Sequence, residues 1–235
     1  MLYQLSYSGR THESRGGPKR SIPGAMPRTY PSTPVWVKVL LIAAFAGSAI
    51  WWLADRLDRT GNEKRLGAIA SELAGREVRV RCPGPFWRVL GYDSVEGKVR
   101  FGADGRPSDE TRLSETSCAE LDALAEGRRG QELACIRRTA IACGPRGTEV
   151  TIAVDVLAHE SFHLRGIMDE AETECRSLQA MAWTAQRLGA TPEQGRAMAT
   201  AQYTGAYEQM PDAYRSGACA DGGALDQRPD DPRFP

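Results

Sequence analysis

Histidine, lysine and net charge are all scarce in this chain, and each scarcity narrows what it can be. Thirty basic residues balance thirty acidic ones among 235, so no charge excess calls for nucleic acid or an acidic polymer as partner. Only Lys19, Lys38, Lys64 and Lys98 are lysines, the remaining basic residues being arginine. With abundant Ala and Gly, that fits the coding bias of a GC-rich bacterial genome. There is no internal repeat and no Cys-x-x-Cys pair. A cysteine metal centre is therefore disfavoured, and the six cysteines read as disulfides. Of three histidines, His12 lies in a polar N-terminal stretch, which leaves His159 and His163 for chemistry.

Against these scarcities stands one long apolar run, VWVKVLLIAAFAGSAIWWLA, over residues 35–54, with a single charge. Twenty helical residues span about 30 Å, the thickness of a bilayer's hydrocarbon core. Lys38 is near enough to one end to snorkel, and Trp36 and Trp51-Trp52 suit the two interfaces. The expectation is an uncleaved transmembrane helix. A cleaved signal peptide is the rival, but bulky Trp51-Trp52-Leu53 occupy the place of a small-x-small cleavage site. All six cysteines follow the run and none precedes it. Disulfides need an oxidising compartment, so residues 55–235 are expected outside the cytoplasm. Residues 1–34, polar with prolines at 23, 27, 31 and 34, are expected to be a disordered cytoplasmic tail. Met26 is an alternative start.

The rest reads as α+β, mainly helical, disulfide-stapled, with a small β-hairpin or sheet. Residues 55–74 form a charged stalk merging into a helix that carries Leu66, Ile69 and Leu73 on one face. Residues 77–81 (EVRVR) alternate like a strand, and 87–92 and 95–101 flank Asp93-Ser94 as a hairpin. Residues 102–117 are Gly-, Asp- and Ser-rich and read as loop. Helices are expected over 119–126, over 150–164 with Gly166 as stop, and from an Asp169 N-cap to about Leu188. A last one opens at Thr191-Pro192-Glu193 and continues towards Tyr207. Cys135 and Cys143 are placed to close a short loop, and Cys175 is a candidate partner for Cys219.

The chemistry lies in His159-Glu160-Ser161-Phe162-His163. Histidines four apart project from one helical face and can grip a single metal ion. Glu160, one residue on, stands beside a metal-bound water rather than on the metal. The segment resembles the signature of zincin metallopeptidases, in which zinc activates a water and Glu is the general base. No histidine is left for a third ligand, so a carboxylate or cysteine must fill the position, and Asp169, Glu170 and Glu174 are the candidates that follow the helix stop. Residues 159–169 (HESFHLRGIMD) resemble the metzincin pattern with Gly166 at its glycine and Asp169 at the third ligand. A methionine turn does not follow, however, because the sequence after Asp169 reads as continuous helix. The gluzincin arrangement, a second helix supplying a glutamate and a supporting carboxylate one turn on, looks like Glu170 and Glu174. Glu170 is favoured as ligand and Glu174 as its support, with Glu174 and Asp169 as the remaining ligand candidates.

The resemblance covers some twenty residues and implies a membrane-anchored, extracytoplasmic zinc peptidase acting on peptide or protein substrates. Zincins often add a side chain that stabilises the oxyanion; Tyr203, Tyr207, Tyr214, Arg165 and Arg176 are candidates. The competing expectation is a non-catalytic extracytoplasmic binding or scaffold domain, with or without a stabilising zinc.

Overall fold

A forty-residue helix α1 (Val35–Ala74) opens the computed structural model of the chain, which describes residues 34–83, 97–230 and 234–235. Within α1, the side chains of residues 51 and 54–59 are outside the description. The chain divides into two units, Met1–Gly47 and Ser48–Pro235. In the first, Val35, Trp36, Val39, Leu40, Leu41, Ile42 and Phe45 are all exposed. Among the described residues no helix is long and apolar enough to cross a membrane. Part of the expected span, Trp51 and Ala54, falls among the side chains not described.

In the second unit α1 turns from wholly exposed to amphipathic. Leu66, Ile69, Ala70 and Ala74 are buried in the main core, the i, i+3, i+4 pattern of a helix laid on a globular surface. A three-stranded sheet follows, in the order β1-β3-β2. Strand β1 (Arg79–Arg81) pairs parallel with β3 (Pro107–Leu113). Strand β2 (Gly97–Phe101) pairs antiparallel with β3 on its other side, with a register shift between Val99 and Phe101.

One expectation is corrected here. Residues 102–117, read as loop, contain the central strand. The turn chemistry is real but confined to 102–106, where Gly102 N–H donates to Arg106 O and Gly105 takes φ +73°. Beyond it, half-buried Glu110 and exposed Arg112 alternate with buried Thr111 and Leu113, a period-2 pattern. Pro107 is tolerated because it is the first residue of the strand. The partner of β2 is accordingly β3; the other proposed hairpin arm, 87–92, lies outside the described residues.

Five further helices and three short helical turns follow among the described residues. Helix α2 (Glu115–Ala125) is capped by Ser114, whose hydroxyl accepts from Ser117 N–H. Helix α3 (Gly130–Thr139) was not expected. Helix α4 (Gly144–Arg165) begins earlier than residue 150 because Pro145 suits a first helical turn. Helix α5 (Glu170–Arg187) and α6 (Pro192–Ala201) have side-chain caps from Asp169 and Thr191. A π-helical turn (Gln202–Ala206) and two 3-10 turns (Tyr207–Gln209, Asp212–Tyr214) follow.

Helix α4 runs through the middle of the unit. It packs against α5, α2, β3 and β2 and is buried on most sides, from Gly147 through Val150, Val154, Leu157 and Phe162 to Leu164. Helices covered all round need apolar residues all round, so any polar group on α4 must find its partner inside the protein. Its C-terminus is closed by Gly166 at φ +108°, with Gly166 N–H donating to His163 O and Ile167 N–H to Phe162 O, a Schellman stop. Arg76, just past α1, donates from Nε to Leu164 O (3.0 Å) and from a terminal nitrogen to Ser108 O, pinning that end to the sheet. Disulfides join Cys82–Cys118, Cys135–Cys143 and Cys175–Cys219; the last two are the pairs expected from sequence.

Candidate metal centre

The site is assembled by the reversal between α4 and α5. His159 and His163 stand one turn apart near the C-terminal end of α4, their rings 4.7 Å centre to centre. Because Gly166 stops the helix and Asp169 starts the next, the first turn of α5 folds back over them. Asp169 is occupied as the cap: its Oδ1 accepts from Glu172 N–H at 2.8 Å. Glu170, the next residue, projects its carboxylate between the two imidazoles. His159, His163 and Glu170 each offer one ligand atom, all within 4.8 Å of one another.

The hydrogen bonds fix which ring nitrogens those atoms are. His163 Nδ1 lies 2.7 Å from Ile167 O, a carbonyl that can only accept, so Nδ1 carries the proton and Nε2 is bare. His159 Nδ1 lies 2.8 Å from Glu174 Oε2, and donates to it in the same way. Both Nε2 atoms then face Glu170 Oε2, at 3.1 Å from His159 and 3.2 Å from His163. Three lone pairs converging at such distances require a cation among them, a proton or a metal ion. A zinc tetrahedron with bonds of about 2.0–2.1 Å has ligand–ligand edges of about 3.3 Å, close to the separations found. Two imidazoles and one carboxylate are also a donor set that zinc accepts, and ligating histidines commonly give their other N–H to a carboxylate or a carbonyl. The residues fit the ion.

Glu160 bonds to the sheet while lying close enough to His159 and His163 to feel their charges. It is 6% exposed, and burial raises its pKa from the ordinary carboxylate value against the pull of His159 and His163. Its Oε2 and the carbonyl of Lys98 each lie 3.1 Å from Thr111 Oγ, so a single hydroxyl proton serves two acceptors. On the other side Gly97 leaves no space: a Cβ there would sit 2.5 Å from Glu160 Oε1. Tyr214 stands beside the metal-ligand cluster, its ring centre 6.1 Å from that of His159, its pKa raised by burial and by the charges of Glu170, Glu174 and Glu160.

Behind His159 the polar column continues inward. Glu174 is 2% exposed and its pKa is pushed up to about 7 by burial. Its neighbour is Asp155, one turn before His159 on α4, 4% exposed. Asp155 Oδ1 accepts from Ser177 Oγ and Oδ2 from Gln202 Nε2, both at 2.8 Å.

Of the residues expected from sequence, His159, His163, Glu170, Glu174 and Glu160 come together, and Asp169 is spent on its own helix. Among the oxyanion candidates only Tyr214 is brought beside His159. Tyr203 and Tyr207 stack on one another, 5.6 Å apart, with hydroxyls bound near Cys219 and Ser216. Arg165 is exposed, and Arg176 pairs with Glu172 on its own helix. Sequence reasoning missed Gly97, Thr111, Asp155, Ser177 and Gln202. Asp155 carried a legible signal, an acid alone within the apolar stretch TIAVDVLA; the others carried none. No protein family, curated protein or solved structure matches the chain.

Proposed function

We propose that this chain is a membrane-anchored, extracytoplasmic zinc-dependent peptidase, with His159, His163 and Glu170 as ligands and Glu160 as general base. The observation that carries the reading is the pair of imidazoles whose Nδ1 protons are both committed elsewhere, leaving two bare Nε2 atoms on one carboxylate oxygen. Zinc held there supplies Lewis acidity, polarising a peptide carbonyl and acidifying water.

The chain's own groups do the rest. Glu160, its pKa raised by burial, takes a proton from the attacking water and returns it to the departing amine. Thr111 satisfies both of its states. It donates to the ionised carboxylate, and it accepts from the protonated one while donating to Lys98 O. Tyr214, its ring beside that of His159, offers a hydroxyl for the developing oxyanion. Anchoring is supported by the exposed apolar side chains of Val35, Trp36, Val39, Leu40, Leu41, Ile42 and Phe45. Three disulfides support an oxidising compartment.

The test is Glu160→Gln in the full chain. Turnover of a quenched-fluorescent peptide pool falls by 10²-fold or more while zinc stoichiometry stays near one per chain. Undiminished turnover, or a wild-type chain that binds no zinc, refutes the reading; a non-catalytic zinc-holding scaffold would show zinc and no turnover in either chain. A reporter active only outside the cytoplasm, fused after Cys219, tests the placement.

A further inference from the structure

Asp155 has no part in the reaction just described, yet it is an acid buried in the middle of the most enclosed helix. Burying an ionisable group without partners costs several kcal/mol, so its surroundings are informative. Ser177 on α5 and Gln202 in the π-helical turn each give it one hydrogen bond. Gln202 reaches it from a segment whose wide i→i+5 turn, closed by Tyr207 N–H on Gln202 O, interrupts the end of α6. The third neighbour is the Glu174 carboxyl. Glu174 uses Oε2 to accept from His159, while its Oε1 is fully buried and meets no donor so long as both acids are ionised. An orphaned buried oxygen facing a second carboxyl is resolved if one of the two donates to the other.

We propose that Asp155 is a positioning residue: held by Ser177 and Gln202, its carboxyl gives Glu174 Oε1 the hydrogen bond it lacks. Glu174 is thereby fixed as the acceptor for His159 Nδ1–H, with His159 Nε2 toward Glu170. The inference rests on the metal-site reading for its purpose, though not for its geometry. Asp155 is the member suited to hold the proton. It is 4% exposed and tied to Ser177 and Gln202, and burial, then the charge of Glu174, lift its pKa well above the ordinary aspartate value. The column Gln202–Asp155–Glu174–His159 would thus couple the π-helical turn to the tautomer of a metal ligand.

The experiment uses the full chain in detergent, zinc alone as probe in competition with a chelator, and ¹⁵N spectra of the histidine rings. The ring spectra are recorded on metal-free chain above the ordinary pH range of imidazole protonation. In the wild type, His159 is expected as the single Nδ1–H tautomer. Asp155→Ala is expected to mix the two tautomers and weaken zinc binding by ~10–100-fold, the usual cost of losing a group behind a ligand. Asp155→Asn keeps a permanent donor, Gln202 being free to flip its amide, and is expected to restore both readouts to within about threefold. Should Asp155→Ala not fold, Gln202→Leu keeps the volume, loosens Asp155 and is expected to show the same two changes in smaller measure.

A single tautomer and unchanged affinity in Asp155→Ala or Gln202→Leu, or damage in Asp155→Asn equal to that in Asp155→Ala, overturns the proposal. A tautomer that depends on Asp155 in a chain that binds no zinc supports the positioning role and refutes the metal reading. Zinc binding with an Asp155-independent tautomer does the reverse.

Discussion

Gly97→Ala should disable the site without altering any residue of the His159–His163 segment. Gly97 opens strand β2 with no positive φ, so the backbone accepts alanine and the effect is purely one of space. The added methyl would lie 2.5, 2.6 and 2.7 Å from Glu160 Oε1, Cγ and Cδ, where ordinary contact begins near 3.4 Å. The Glu160 side chain must therefore retreat by about 0.8 Å along its length, and Thr111 ties Oε2 at 3.1 Å on the far side.

A displacement near 1 Å of a catalytic group costs about 10²-fold in rate, or roughly 2.7 kcal/mol in the barrier. Overpacking costs about 1–3 kcal/mol of stability. None of His159, His163 and Glu170 is among the groups the added methyl meets most closely, so zinc affinity should stay within about threefold. Peptide turnover, zinc competition and thermal unfolding of the same preparation separate the three effects. Wild-type turnover in Gly97→Ala, alongside an inactive Glu160→Gln, would refute the confinement of Glu160. Loss of zinc in Gly97→Ala would refute the separation of base and ligands.

Asp169→Ala should cost about 1 kcal/mol of stability through loss of the α5 cap yet retain zinc, whereas Glu170→Ala should lose zinc as completely as His163→Ala; the opposite result, read by metal analysis, makes Asp169 the ligand. Glu174, raised from 4.5 to about 7, binds its proton more tightly folded than unfolded, so metal-free stability is full below pH 4.5 and declines as pH rises through about 7, by at most ~3 kcal/mol. Melting temperatures of metal-free chain from about pH 5 to about pH 8 should fall, and fall less in Glu174→Gln; a rise contradicts the burial argument. Removing Cys175–Cys219, whose ends are 44 residues apart, should cost about 4 kcal/mol by chain entropy, against about 2.5 kcal/mol for Cys135–Cys143, 8 apart. Denaturant midpoints of the paired Cys→Ser variants test that order.

The sequence alone was enough for the short-range signals that frame the site. Histidines at i and i+4, the Gly166 stop and the Asp169 cap are short-range signals, and they place Glu170 at the start of the returning helix. The 35–54 run and the six cysteines downstream of it are likewise visible without a fold. The tertiary structure decided what local signals cannot carry. The central strand 107–113 contains Pro, Asp and Glu and reads as loop until β1 and β2 pair with it from both sides. Thr111 and Gly97 shape the surroundings of Glu160 only because that sheet packs on α4. Gln202 reaches Asp155 across 47 residues of sequence, and Tyr214 reaches His159 only through the 3-10 turn that packs on α5. The physical reason is one of range. Caps, stops and ligand spacing are set by hydrogen bonds within a turn or two of helix, whereas the partners of a buried polar group are whichever groups the packed core brings to it.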